Sequence, residues 1–173
     1  MIALKNELYN FCLSYVRKSM QAAELAIQEA QKASSEDTKS SAGDKYETGR
    51  AMMQQETNRN LAQLNETNKL LVILNRISTT GTSATAEAGS IIHTDNGNFY
   101  LAISAGNYTV GNVTYYTVSV ASPVGQKLIG KKAGDKFNLN TKEYIIKFVG
   151  WLCSLNSLFS IKKTAFNLEK FIF

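Results

Sequence analysis

Ser34-Ser35-Glu36-Asp37-Thr38-Lys39-Ser40-Ser41-Ala42-Gly43-Asp44-Lys45-Tyr46-Glu47 reads as a small polar turn set midway between two long helical patterns of nearly equal length. Before it, apolar positions run Leu4, Leu8, Phe11, Tyr15, Ala22, Ala26, Ala30 and Ala33, in steps of three and four with one polar miss near Ser19. That spacing is a heptad seam. Its large residues come first and its alanines last, so a partner helix can approach more closely toward the turn. After the turn a second pattern, from Asp44 to about Ile77, carries Met53, Thr57, Leu61, Leu64, Leu71 and Leu74 on one stripe. Two helices of roughly 32 residues each, at about 1.5 Å per residue, predict a hairpin on the order of 45–50 Å long. A connection of about eight to ten residues makes the two helices antiparallel. The outer faces stay polar, so a need for core does not explain the length. An oligomerising coiled coil and a hairpin that reaches into a partner both fit, and periodicity alone leaves the two open.

The chain as a whole has 173 residues, 44% of them hydrophobic and 19% charged, with one proline. This composition fits a soluble globular protein of one compact domain or two small ones. The N-terminus lacks a basic segment followed by an apolar run and a small-residue cleavage site, so the expected location is the cytoplasm. Cys12 and Cys153 read as buried apolar residues, and His93, with no cysteine or second histidine near it, as an ordinary strand residue. The net charge of +5 is uneven. Residues 1–78 carry ten Lys/Arg against nine Asp/Glu, whereas residues 79–173 carry nine lysines against five acids, and six of those lysines fall between Lys127 and Lys147. A basic balance of this kind suits work close to a nucleic acid or an acidic protein surface.

Beyond the hairpin (residues 1–78), the small, polar stretch Ser78 to Gly89 marks a linker (79–89) and a change of domain. Ser90 to Thr94, Phe99 to Ser104, Tyr108 to Val110 and Thr114 to Val120 then read as strands, with Asp95-Asn96-Gly97-Asn98 as a hairpin turn. A short helix around Gln126 to Ile129 and closing strands at Lys136 to Leu139 and Tyr144 to Val149 complete the pattern. The expectation is an α+β chain in which the helical hairpin precedes a small domain (90–149) built on an antiparallel sheet. Residues 150–173 are apolar at roughly helical spacing but broken by Lys162 and Lys163. The apolar run before those lysines is too short to span a bilayer, which takes about 20 residues. It reads as a C-terminal extension and not a membrane anchor.

Chemistry could sit at the turn. Asp44 and Glu47, three residues apart where the second helix begins, project to the same side. Acids in a first helical turn are common because the exposed N–H groups and the helix dipole favour negative charge there. Two carboxylates at an exposed tip also suit a hard divalent cation such as Mg²⁺, which needs further ligands from a third party. Both readings stand. Lys39, Lys45 and Arg50 nearby could neutralise RNA phosphates or simply solvate the helix.

The layout resembles the Gre transcript cleavage factors of bacterial RNA polymerase, and two motifs carry the likeness. Gly43-Asp44-Lys45-Tyr46-Glu47 is similar to the family's tip of glycine, aspartate, two residues and glutamate. Ser122-Pro123-Val124-Gly125-Gln126-Lys127-Leu128-Ile129-Gly130-Lys131-Lys132-Ala133-Gly134-Asp135 is similar to its C-terminal signature of Ser-Pro, a leucine-rich turn, Gly-Lys-Lys and Gly-Asp. The resemblance covers residues 1–149. It implies that the hairpin enters the polymerase secondary channel while an FKBP-like domain docks on the channel rim through Ser122, Pro123, Val124, Gly125 and Gln126. It also implies that Asp44 and Glu47 assist the polymerase's own Mg²⁺ in hydrolysing backtracked RNA. On this reading the chain is no enzyme by itself, holds no tight cofactor, shares Mg²⁺ with RNA polymerase, meets the nascent RNA 3′ end only indirectly, and touches no membrane. After the second acid the family usually continues Asn-Ala-Glu-Tyr, where this chain has Thr48-Gly49-Arg50-Ala51. The alternatives are a Gre-fold channel regulator without cleavage activity, and a prolyl isomerase or chaperone using Phe99, Tyr100, Tyr108, Tyr115 and Tyr116.

Overall fold

The computed structural model describes residues 2–36, 43–77 and 83–150; the side chains of residues 2, 34–36, 43–48 and 50 are outside that description. Lys39, Cys153 and the extension 151–173 also lie outside the described residues. Helix α1 spans Ile2–Glu36 and helix α2 spans Gly43–Arg76. At about 1.5 Å rise per residue each is about 50 Å long. Helix α1 runs on through Ser34-Ser35-Glu36, which the sequence had suggested as turn, because neither glycine nor proline interrupts it there. The helices are antiparallel: the Ser19 and Thr67 hydroxyls meet at 3.3 Å, and Leu8 shares a core with Leu74.

The seam differs from the expected one. On α1 the buried side chains are Lys5, Leu8, Cys12, Val16 and Ala23, while Tyr15 is 44% exposed and Ala22 lies in solvent. From Cys12 to Ala23 the seam therefore runs one residue later than predicted, a rotation of about 100° per residue, and at Ala26, Ala30 and Ala33 it returns to the expected positions. Small and medium side chains at 12 and 16 let α1 sit against both α2 and the sheet. On α2, Leu61 is 43% exposed and Asn60 takes its place. A strict alternation of four and three from Met53 passes through Thr57, Asn60, Leu64, Thr67, Leu71 and Leu74, which puts three polar residues in the seam.

The second part of the chain comprises strands β1 (Ile91–Thr94), β2 (Asn98–Ala102), β3 (Gly106–Val110), β4 (Val113–Ser119), helix α3 (Pro123–Leu128), β5 (Lys136–Leu139) and β6 (Lys142–Gly150). The order across the sheet is β3-β4-β2-β1-β6-β5. The sheet is mixed, not antiparallel throughout, because β4 pairs parallel with β2. Strand β3 crosses to the sheet edge, and the tight turn after Val110 brings β4 back between β3 and β2, so two reversals leave β4 running in the direction of β2.

Strand alternation then divides the side chains between two cores. Ile91, Tyr100, Ala102 and Tyr115 face the hairpin base and pack with Leu8, Cys12, Val16, Leu74 and Ile77. Ile92, Phe99, Leu101, Phe137, Ile146 and Val149 face the other side, where Leu128 of α3 and Ala86 close over them. Ala86 is fixed by two backbone bonds, accepting from Gly130 and donating to Lys131 at 2.8 Å each. The sheet is covered on both faces, and each fully buried leucine or isoleucine contributes about 1.5–3 kcal/mol. The hairpin is thereby welded at its base, with the first turn of α2 about 50 Å away along that helix.

Candidate functional site

The features singled out in the sequence fall at opposite ends of this architecture. At one end, Asp44, Lys45 and Glu47 lie in the first turns of α2 and Arg50 one turn further on, with side chains outside the described residues. What the fold establishes is their station. Leu74 and Ile77 at the other end of the same helix are buried against the sheet, so the acid-bearing turn is as far from the domain as α2 is long. Gly49 sits in this segment, and a Cβ placed on it would meet no atom within 4 Å. Its lack of a side chain answers no packing need inside the chain.

At the other end, the segment from Ser122 to Asp135 is built from internal bonds. Ser122 caps α3: its Oγ accepts from the Gly125 N–H at 3.1 Å and donates to the Ser119 carbonyl at 2.6 Å. Pro123 occupies the first helical turn, where its missing N–H costs nothing. Gly125 is demanded by space, since a Cβ there would lie 2.0 Å from the Ser119 carbonyl oxygen. Gly134 adopts φ +93°, a left-handed value open to glycine, and Asp135 closes the turn by accepting from the Lys132 N–H at 2.8 Å. Gly134 and Asp135 also tie this turn to β6 through Ile146. Of the five residues expected to dock, Ser122 and Gly125 are thus committed to shaping the loop and Val124 packs against the second core. Pro123 and Gln126 are exposed, as are Lys127 and Ile129 beside them. Lys127 reaches the Asn138 carbonyl, and Lys136 pairs with Glu143 at 3.0 Å. Lys132, Lys142 and Lys147 are exposed on the same domain.

Between the two ends, a groove of about 430 Å³ runs along α2, lined by Met52, Gln55, Glu56, Arg59, Asn60 and Gln63. Asn60 stands at the seam position expected for Leu61, and its Nδ2 is buried with no partner among the described residues.

The buried titratable groups belong to the hairpin–sheet joint. Lys5 is 3% exposed, and burial lowers its pKa to about 8 against the opposing pull of Glu87. Burial pushes the Cys12 thiol up to about 12, although the Ile103 backbone and the Thr117 side chain favour its charged form. Cys12 is therefore a neutral core thiol. On β1, His93 meets Asn98 Oδ1 through Nδ1 at 2.7 Å. Because Asn98 Nδ2 already donates to the Thr114 carbonyl at 3.2 Å, the histidine is the donor. Burial lowers the pKa of His93 and keeps the ring neutral. The five aromatics weighed for an isomerase pocket do not converge: Tyr100 and Tyr115 face the hairpin, Phe99 is in the opposite core, Tyr108 stacks on Phe11, and Tyr116 is 46% exposed.

Among the described residues no three of His, Cys, Asp and Glu come together as a metal site. No helix among them is long and apolar enough to cross a membrane. No protein-family model matches the chain, and no curated protein matches its sequence.

Proposed function

We propose that this chain is a Gre-like elongation factor that inserts its hairpin into the secondary channel of bacterial RNA polymerase and stimulates cleavage of backtracked RNA. The observation that carries the reading is the separation of two motifs along one helical axis. The Gly43 to Glu47 turn begins a helix whose other end is buried in the sheet domain, and that domain bears the braced Ser122 to Asp135 loop. Such an arrangement suits a device that grips a rim with one end and delivers two carboxylates at about 50 Å with the other. On this reading the six-stranded sheet with α3 across one face is FKBP-like, and the site of action is the cytoplasm.

The chain's own contribution is positioning. Asp44 and Glu47 would add carboxylate oxygens to a Mg²⁺ held mainly by the polymerase, and two acids alone hold that ion weakly. The metal, when bound, supplies charge stabilisation for phosphodiester hydrolysis. Pro123 and Gln126 would contact the rim, while Ser122 and Gly125 keep the loop in shape. The exposed lysines favour an acidic partner surface.

Binding of the full chain to core RNA polymerase tests the docking half. Co-purification is expected, with affinity reduced in Pro123→Ala, which leaves the Ser122 cap in place. No binding by the wild-type chain would overturn the proposal. A second reading, in which the hairpin occludes the channel without promoting cleavage, is favoured by Thr48-Gly49-Arg50-Ala51, which departs from the family pattern. Slower elongation with no shortened RNA would select it.

A further inference from the structure

We propose that the outer half of the hairpin opens as a cooperative unit of its own, with the Ser19–Thr67 layer as the boundary between it and the base. The base is fastened by fully buried Leu8, Cys12, Val16 and Leu74, which belong to the same core as the sheet. Thr67, which meets Ser19, is the last buried seam residue on α2, and Ala23, one turn further out, is the last on α1 and closes this layer from outside. Outward from Ala23 and Thr67 every described seam side chain is only half-buried: Ala26, Ile27, Ala30 and Ala33 on α1, and Met53, Thr57, Asn60 and Leu64 on α2.

Three features of the outer half point the same way. Its α1 side is mostly alanine, which buries little apolar area per residue. Its α2 side presents Thr57, whose hydroxyl bonds back to the Met53 carbonyl of its own helix at 2.9 Å, so that it spends no bond on α1. Asn60 presses a buried Nδ2 into the seam without an acceptor among the described residues, a feature that opening would relieve by hydration. Gly49, with open space around its absent side chain, further lowers helix propensity near the far end. A helix held by so little tertiary packing is marginal by itself, and regions of this kind open below the free energy of global unfolding. A tip carried on such a segment takes its final position from whatever surface encloses it, so the device does not depend on the identity of that partner.

Hydrogen exchange on the full chain tests this. Amides in residues 24–33 and 52–63 are expected to exchange at least about 10-fold faster than those in residues 6–18 and 68–76. Asn60→Leu, which removes the unpartnered amide and adds apolar area to the seam, should slow exchange in the outer segments several-fold and leave the base unchanged. Gly49→Ala gives an independent arm, since no neighbour opposes the added methyl, and should slow exchange mainly in the outer part of α2. Equal exchange rates in both halves, or variants that fail to slow the outer half or slow both halves equally, would overturn the proposal.

Discussion

The loop around α3 and the outer half of the hairpin are opposite solutions to holding a stretch of sequence in place. Around α3 almost every motif residue has an internal partner: Ser122 caps, Gly125 admits the Ser119 carbonyl, and Asp135 closes a turn onto Lys132. In the outer hairpin the described seam residues are half-buried, and an amide group is left without a bond. The difference teaches that a motif can be maintained by the fold or by its exposed work, and that the two are separable only in three dimensions. Much of the Ser122 to Asp135 signature is scaffold, and the surface free to meet a partner reduces to Pro123, Gln126 and their exposed neighbours.

The contrast can be broken most sharply at Gly125. An added Cβ would stand 2.0 Å from a backbone oxygen, so Gly125→Ala must displace α3 from the end of β4. We expect a loss at or above the upper end of the 1–3 kcal/mol usual for overpacking, about 3 kcal/mol, read from denaturant unfolding. Next in size is the comparison of Leu74→Ala with Leu64→Ala. Leu74 is fully buried in the shared core and should cost about 2–5 kcal/mol, whereas half-buried Leu64 should cost well under half of that. Equal losses would erase the distinction between base and outer half.

How much of this was legible in the sequence depends on whether the signal was local. The hairpin followed from steps of three and four in residues 4–33 and 53–74, and the β1–β2 turn from Asp95-Asn96-Gly97. The seam departs from the expected one around Tyr15 and Leu61, where large apolar side chains stay 44% and 43% exposed. Only the tertiary contact with the sheet shows that Cys12 and Val16 hold the α1 positions, and only the packing of α2 against α1 turns Asn60 inward in place of Leu61. The parallel pairing of β2 with β4 was not legible, since β3 intervenes in sequence but lies outside them in space. At the candidate site, the acids at 44 and 47 were singled out by their spacing together with the family resemblance, and their side chains lie outside the described residues. The scaffolding role of Gly125 was not legible, because nothing in the sequence shows that the Ser119 carbonyl passes beneath it.

A smaller effect concerns pH and the joint itself. The folded pKa of Lys5 is lowered to about 8, below the value of about 10.4 expected in the unfolded chain. Between those values the unfolded chain binds the extra proton, so this residue makes stability rise with pH. Cys12 acts in the opposite sense above its ordinary value, since its thiol stays protonated up to about 12 in the fold. The rise from Lys5 should therefore be clearest between about pH 8 and 9. Lys5→Met should flatten it, as measured by thermal unfolding across that range, while the outer hairpin is unaffected. The smallest expected change is for Gly49→Ala, a gain of up to about 1 kcal/mol from helix propensity, confined to the outer half.

The central claim, that the distant end of α2 delivers Asp44 and Glu47 to another enzyme's active site, is tested most directly with stalled, backtracked RNA polymerase complexes. The account predicts that the wild-type chain releases short 3′ RNA fragments, and that the Asp44→Ala, Glu47→Ala double variant still binds the polymerase but releases none. Fragment release by the double variant at the wild-type rate would contradict it.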